Sequence, residues 1–454
     1  MTIVQAAIRH RLPTFHLPSD SSRRRTSSGW HERRRRVGDN DRRRDGRGTP
    51  LYDIHHLGKM MADRLRTEPY FEALRRAVRP GSIVVDIGTG TGVHALLACK
   101  LGARRVYAIE PSDAVEVARA IAEANGFGDR MECIQALSTD VTLPERADVV
   151  VSDLRGAVPL FDGHISSIVD ARQRLLAPGG TLIPTRDVLC LAVAEAPDVH
   201  DAIVSTWDHN PLALDMRAAK DLALNQVHWA AVAREQLLTT PEQWAILDYT
   251  SIEDKNIRGN VVLAVQRSGR GHGLAHWFEA TLLDEVEFSV GPGEPDNVYG
   301  RPFLPWPRPV ALTIGDEIHV ELRADRNGGD YVWTWRTRIV DCQGHASTKA
   351  EFEQSTFFST PLSRRQLRLF REDHAPELNG GGRVDHLILG SMDRRVPLGK
   401  IAEDVHHRFP ARYPSRSQAL ARVRELAGKY ADERQDQARP SSASHPHRSR
   451  PHPA

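Results

Sequence analysis

Residues 82–92 read Ser82-Ile83-Val84-Val85-Asp86-Ile87-Gly88-Thr89-Gly90-Thr91-Gly92. The opening five are a short apolar run ending in an acid, which suits a strand buried on both faces. Glycines on alternate positions then let the backbone turn tightly and approach a ligand closely. Val93 to Leu101 reads as a helix. Strand, glycine turn and helix in that order open a nucleotide-binding α/β unit.

The details narrow the ligand. The spacing is not the G-x-G-x-x-G of a dinucleotide site, which counts against an oxidoreductase. Asp86 stands where it would repel a phosphate. A ligand with an ammonium group and no phosphate tolerates that carboxylate, and S-adenosylmethionine answers the description. Arg105 to Ile109 is a second strand, ending at Glu110. A carboxylate there can accept hydrogen bonds from both ribose hydroxyls. Ala114–Asn125 reads as a helix, Met131–Leu137 as a third strand, and Ala147–Ser152 as a fourth. Ser138 and Thr139, just past the third strand, are candidates for the adenine pocket. Ile165–Leu176 reads as a helix, and Pro178-Gly179-Gly180 turns into Thr181–Pro184. Alternating strands and helices predict a parallel sheet covered on both faces.

After Pro184 the texture changes. Strand-like runs at 186–193, 245–249, 259–265, 275–284, 308–323 and 331–339 lie between Gly, Pro and Asp turns, predicting an antiparallel barrel. Residues 205–235, rich in Ala and Leu, read as a helical arm within it. Val384–Leu389 suits a strand or a short helix. Ile401–Phe409 and Ser417–Tyr430 read as amphipathic helices, with Pro397 and Ser415 at their starts.

The domain division that follows is 1–48 disordered leader, 49–185 cofactor domain, 186–365 barrel, 366–430 small helical or winged-helix-like domain, and 431–454 disordered tail. A chain of 454 residues has room for that number of units. Its 61 Lys and Arg nearly match its 59 Asp and Glu, so nothing in the whole chain marks a nucleic-acid binder. The first 50 residues hold 13 Arg and no Lys against 5 acids, which leaves the remainder mildly acidic. No run of about 18 apolar residues suggests a membrane span. The four cysteines, Cys99, Cys133, Cys190 and Cys342, have no ligand spacing; no metal is expected, and a reducing cytoplasm is.

Further motifs carry a resemblance. Met60-Met61-Ala62-Asp63-Arg64-Leu65-Arg66, the loop Asp86–Gly92, Ser152-Asp153-Leu154-Arg155-Gly156 to Phe161-Asp162, and Ala171-Arg172 with Pro178–Pro184 occur in one order. In that order they resemble the protein arginine methyltransferases, a family of class I S-adenosylmethionine-dependent enzymes, over roughly residues 51–340. The resemblance implies a Rossmann-like domain followed by a β-barrel, a homodimer built through the arm, and S-adenosylmethionine as cofactor. It places Met60 near the sulfonium and Arg66 on the cofactor carboxylate, beside the loop residues Asp86, Gly88, Gly90 and Gly92; Glu110, Ser138 and Thr139 join them from the strand-end reading above. Residues 384–430 faintly resemble winged-helix domains that bind leader peptides, implying a precursor peptide delivered to the cleft.

Asp153 and Asp162 stand where the family has two glutamates that grip the acceptor guanidinium. A planar guanidinium pairs bidentately with carboxylate. Aspartate is shorter by one methylene, about 1.5 Å of reach. The family's Thr-His-Trp loop here reads Asn297-Val298-Tyr299, so the histidine is absent and an aromatic wall is kept. His55, His56 and His164 are weaker candidates for a base. The acceptor expected is a peptide or protein side chain, with arginine held by Asp153 and Asp162. The alternative is a small-molecule natural product methylated on N or O by the same fold. A catalytically dead adaptor is disfavoured by the intact glycine loop, Glu110 and Arg66.

Overall fold

The computed structural model describes residues 54–161, 163–341, 347–369 and 371–431. The Arg-rich leader, the tail, Asp162 and Cys342 lie outside them, and so do the expectations attached to those residues.

Two helices open the described chain, α1 (Ile54–Ala62) and α2 (Arg64–Ala77), jointed at the extended residue Asp63. There follow β1 (Ile83–Ile87), α3 (Val93–Lys100), β2 (Arg105–Ile109), α4 (Ala114–Ala124), β3 (Met131–Ile134), β4 (Ala147–Ser152), α5 (His164–Asp170) and β5 (Leu176–Ile183). The five strands pair in parallel in the order β3-β2-β1-β4-β5. All five residues of β1 are buried, as a central parallel strand requires. The chain steps outward from β1 to one edge, then returns to β4 on its other side. The carboxyl ends of β1 and β4 therefore flank the crevice where such sheets bind ligands.

Past Thr185 the chain enters an antiparallel domain. Its elements are β6 (Arg186–Ala194), α6 (Pro197–Asp208), α7 (Arg217–Leu224), β7 (His228–Trp229), β8 (Glu242–Asp248), β9 (Ile257–Ala264), β10 (Gly269–Leu283), β11 (Val286–Ser289), β12 (Pro302–Leu312), β13 (Glu317–Asn327), β14 (Asp330–Asp341) and β15 (Ser347–Ser355). One sheet runs β7-β12-β10-β6-β8 with β11 on β10; the other runs β15-β14-β13-β9. A single hydrophobic core passes from Val84 and Val150 in the first domain to Leu191, Phe303 and Trp335 in the second.

Two sequence expectations need correction here. The strand expected over 308–323 is two strands. Gly315 turns with φ +94°, and the buried carboxylate of Asp316 accepts from the Thr313 amide at 2.8 Å, which closes the corner between β12 and β13. The helical stretch expected over 205–235 begins earlier, with Pro197 at the start of α6, and its helices end at Leu224. Residues 228–229 pair with β12 instead, a tertiary pairing that local composition does not announce.

A short helix α8 (Arg364–Leu369) leads to α9 (Gly380–Asp393), α10 (Leu398–Arg408) and α11 (Arg416–Tyr430). Ser415 caps α11 through its hydroxyl, as its position suggested. Val384, Ile388, Ile401, Val405, Val423 and Leu426 form a separate small core. Residues 380–430 hold helices and no strand, so the β-wing of a winged-helix domain is not there; the helical reading of this region stands.

Candidate active site

The glycine turn follows β1 and caps α3. Gly88 (φ +71°) and Gly90 (φ +53°) adopt left-handed backbone that other residues resist. A Cβ on Gly88 would lie 2.3 Å from Leu154 Cδ2, and one on Gly90 3.2 Å from Leu57 Cδ2. Gly92 supplies the residue before α3. Asp86 is buried: its Oδ2 accepts from the Thr89 hydroxyl at 2.5 Å and the Ala95 amide at 3.1 Å, while Oδ1 has no hydrogen-bond partner and faces His94 Nδ1 at 3.8 Å. Glu110, at the end of β2, accepts from the Gly90 amide and the Ser112 amide, each at 3.0 Å. It shapes the glycine turn and remains half-buried beside it. Ser138 is buried, whereas the side chain of Thr139 is exposed, its hydroxyl 3.4 Å from Asp140. A turn too tight for side chains, an orphaned carboxylate oxygen and a strand-end acid suit S-adenosylmethionine, with an ammonium for the acids and hydroxyls for Glu110.

Arg66 lies in the first turn of α2 and is buried. Its Nη1 donates to the Met60 carbonyl at 3.2 Å, so those two expected cofactor residues are brought together. Its Nε donates to Asp153 Oδ2. The same oxygen accepts the Tyr299 hydroxyl at 2.8 Å, and Asp153 Oδ1 accepts Arg155 Nη1 at 3.1 Å. Arg155 in turn grips Asp187 with Nε at 2.7 Å and Nη2 at 3.1 Å. Tyr249 donates to Asp187 at 2.6 Å, and its oxygen lies 2.9 Å from His164 Nε2. Beneath this line Tyr70 donates to the Ser152 carbonyl at 2.8 Å and stacks on His94, ring centroids 4.5 Å apart.

Burial alone would push the Asp153 carboxyl up, but the guanidiniums of Arg66 and Arg155 hold it well below the usual carboxylate range. Burial would lower both arginines, and the facing carboxylates more than reverse that. Burial, with Arg155 nearby, pulls His164 down to about 3, so it is neutral. Its Nε2 then donates to Tyr249, which passes its own hydrogen to Asp187. Burial raises the Tyr299 hydroxyl well above its ordinary value, and Asp153 adds to the effect.

The barrel closes over this centre. The Val298 amide donates to Asp63 at the α1–α2 joint, 2.8 Å away. Tyr299, expected as an aromatic wall, is buried and donates its hydroxyl to Asp153. His55 is exposed and His56 half-buried on α1, while His164 is committed to Tyr249. None of the three meets Asp153 through a described hydrogen bond. The residues that sequence reasoning missed are Tyr70, Arg155, Asp187 and Tyr249. A signal existed for one of them: Arg155 is a charge in an otherwise apolar loop, Leu154 to Phe161.

Comparison with known proteins bears on this geometry. Residues 66–186 match the family model of the ribosomal protein L11 methyltransferase PrmA, and residues 185–334 that of the arginine methyltransferase oligomerization subdomain. The handover falls at Thr185, where β5 gives way to β6. Protein arginine N-methyltransferase PRMT10 of Oryza sativa subsp. japonica is 38% identical over 309 residues, 60% of this chain and 81% of that one. Protein arginine N-methyltransferase 1 of Saccharomyces cerevisiae is 27% identical over 286 residues, 61% of this chain and 81% of that one. The Arabidopsis thaliana protein named Probable protein arginine N-methyltransferase 6 is 32% identical over 251 residues, and the match spans 53% of this chain and little more than half, 56%, of that one. Among solved structures, Arabidopsis thaliana protein arginine methyltransferase 10 superposes with a TM-score of 0.59 at 22% identity, over 67% of this chain and 97% of its own. The Trypanosoma brucei PRMT1 enzyme–prozyme heterotetramer, solved with AdoHcy, gives 0.62 at 22% identity, over 67% and 98%. The chain belongs to the protein arginine N-methyltransferase family of S-adenosylmethionine-dependent methyltransferases.

Proposed function

We propose that this chain transfers a methyl group from S-adenosylmethionine to the guanidinium of an arginine in a peptide or protein. The observation that carries the reading is Asp153, a buried, ionised carboxylate at the carboxyl end of β4, joined through Arg66 to the cofactor side. The cofactor supplies a methyl group on a positively charged sulfur. The chain's own residues do the rest. Gly88, Gly90 and Gly92 admit the ligand to the backbone, Glu110 takes the ribose hydroxyls, and Arg66 with Met60 holds the amino-acid end. Asp153 and Asp162 take the acceptor. A carboxylate accepts about four hydrogen bonds, and Asp153 has three donors, so one acceptor site remains on Oδ1. Asp162 supplies the second carboxylate. With its pKa held down, Asp153 is a poor base; it orients the guanidinium, and the proton released on transfer passes to solvent.

The surface beside the site has the matching sign. A groove of about 510 Å³ between α2 and β11 is lined by Glu68, Glu72, Glu285, Glu287 and Glu294; Arg64 pairs with Glu68 and Arg75 and Arg76 with Glu72, so Glu285, Glu287 and Glu294 carry most of the negative charge it offers. A cationic peptide suits that lining. Helices α6 and α7 stand where the resemblance expects an arm, and we propose a homodimer formed through them. The test is intact mass of an arginine-containing peptide, and of its lysine counterpart, after incubation with the chain and S-adenosylmethionine. One or more methyl masses on the arginine peptide alone is the expected result. Transfer to the lysine peptide, or none to either while a small cationic metabolite is methylated, would sink the reading.

A further inference from the structure

We propose that Arg155 is a positioning residue for methyl transfer, a guanidinium of the chain itself that fixes the acceptor carboxylate of Asp153 against the barrel. The inference rests on the reading of Asp153 as an acceptor-holding group.

Arg155 has no exposed surface. Its donors are spent in two directions: Nε and Nη2 grip both oxygens of Asp187, at 2.7 and 3.1 Å, and Nη1 reaches Asp153 Oδ1 at 3.1 Å and the Tyr70 hydroxyl. Asp153 follows β4 of the first domain; Asp187 is the second residue of β6, the first strand of the barrel. Arg155 therefore spans the joint between the two domains. The rings of Tyr70, Phe278 and Phe288 lie 5.8, 5.6 and 5.7 Å from its guanidinium carbon and enclose it. Asp187 is braced in turn by Tyr249 at 2.6 Å.

Fold stability alone gives no reason for such an arrangement. A buried ion pair is often no more stabilising than apolar residues of the same volume. What apolar residues cannot supply is direction. A planar fork meets Asp187 bidentately and still has a donor for Asp153, which a lysine ammonium on a flexible stem does not reproduce. With Oδ1 turned onto Arg155, Oδ2 is presented to Arg66 and Tyr299. The plane of the Asp153 carboxylate is thereby set by contacts from both domains. An in-line transfer is sensitive to such placement: a misplacement of about 1 Å costs roughly 10²-fold in rate.

The experiment compares Arg155→Met/Asp187→Asn and Arg155→Lys with the unaltered chain. The double variant removes both charges and keeps the volumes close. The amide oxygen it introduces at position 187 can still accept from Tyr249. Circular dichroism and S-adenosylmethionine binding are expected to stay near those of the unaltered chain. The kcat on an arginine peptide should fall by about tenfold or more. The acid limb of its pH–rate profile should move to higher pH, because Asp153 loses one of its two neighbouring cations. Arg155→Lys should show the same losses in smaller measure, having kept the charge and lost the fork. A merely structural role would leave the rate and the acid limb of either folded variant unchanged, and that result overturns the assignment. The unaltered chain is the control. If it methylates no arginine peptide, the reading of the acceptor fails; if it does and the variants equal it, only the role of Arg155 fails.

Discussion

The hydroxyl of Tyr299 lies 2.8 Å from Asp153 Oδ2, so the barrel places a donor on the carboxylate that the parallel sheet presents. Tyr299→Phe removes that donor and keeps the ring that stacks on Phe288, 6.1 Å between centroids. A hydrogen bond to a charged group is worth about 1.5–3 kcal/mol. Turnover should drop by about tenfold or more with S-adenosylmethionine affinity unchanged. Steady-state kinetics with calorimetry on the same sample decides it; an unaltered kcat/KM would show the hydroxyl to be a bystander.

Asp153 faces two buried arginines, and that changes what its removal does. Asp153→Asn strands the charge of Arg66, whose described carboxylate partner is Asp153, and leaves Arg155 paired with Asp187 alone. The expected cost is about 3–5 kcal/mol of stability, as for a buried pair broken on one side. Turnover should be lost as well, and cofactor affinity should weaken because Arg66 loses its anchor. Asp162→Asn should cut turnover by about 10²-fold. Urea unfolding alongside methyl-transfer rates measures both effects. Unaltered stability of Asp153→Asn would contradict the pairing.

Gly90 and Glu110 make one prediction together. The Gly90 amide donates to Glu110, and Gly90 sits at φ +53° under Leu57. Gly90→Val should abolish S-adenosylmethionine binding. Glu110→Gln keeps the size and loses the charge, and affinity should fall by about tenfold or more. Calorimetric titration measures both; full affinity in Gly90→Val would place the ligand elsewhere.

Two of the buried histidines contribute strongly to the response of the fold to acid. Burial lowers His164 and His276 to about 3. Unfolded, each titrates near 6.5. Between these values the unfolded chain binds more protons than the folded one, so stability falls as pH drops from about 6.5 toward 3. Each contributes roughly 1.4 kcal/mol per pH unit in that window. Urea midpoints at pH 5, 6 and 7 should decline accordingly. The decline should lessen in His164→Gln; an identical slope in that variant would remove His164 from the account.

The arm gives a prediction about assembly. Leu212 and Leu214, between α6 and α7, are 73% and 56% exposed, a large apolar display for a free surface. Light scattering should report twice the chain mass at micromolar concentration, and Leu212→Asp/Leu214→Asp should shift it toward one. A single-chain mass for the unaltered protein would reject the dimer.

The glycine turn was legible because its geometry is local. Asp86, Gly88, Gly90 and Glu110 meet at a turn and a strand end, and a turn announces itself in sequence; their cofactor roles are proposed from that placement. Asp153 was legible by position but not by environment. Its partners come from α2, its own loop and the barrel, and the separation from Arg66 is 87 residues, from Tyr299 146. The link from Arg155 to Asp187 spans 32 residues and a domain boundary. Nothing in composition or periodicity marks an aspartate at the second position of β6 as the partner of a buried guanidinium. The arm was misplaced for a related reason: Ala and Leu content favours helix, but His228 and Trp229 are claimed by a long-range pairing with β12.

The core of α9, α10 and α11 shares no residue with the large core that runs through the sheet and barrel. Cooperativity is a property of shared packing, so substitutions in the two cores are expected to act on different parts of the described chain. A substitution at Ile388 or Val423 acts on the smaller core, and one at Val84 or Trp335 on the larger. The same partition lets the two cores change at different rates under selection: the helical trio is free to drift, be exchanged or acquire a new surface while the methyl-transfer machinery stays as it is.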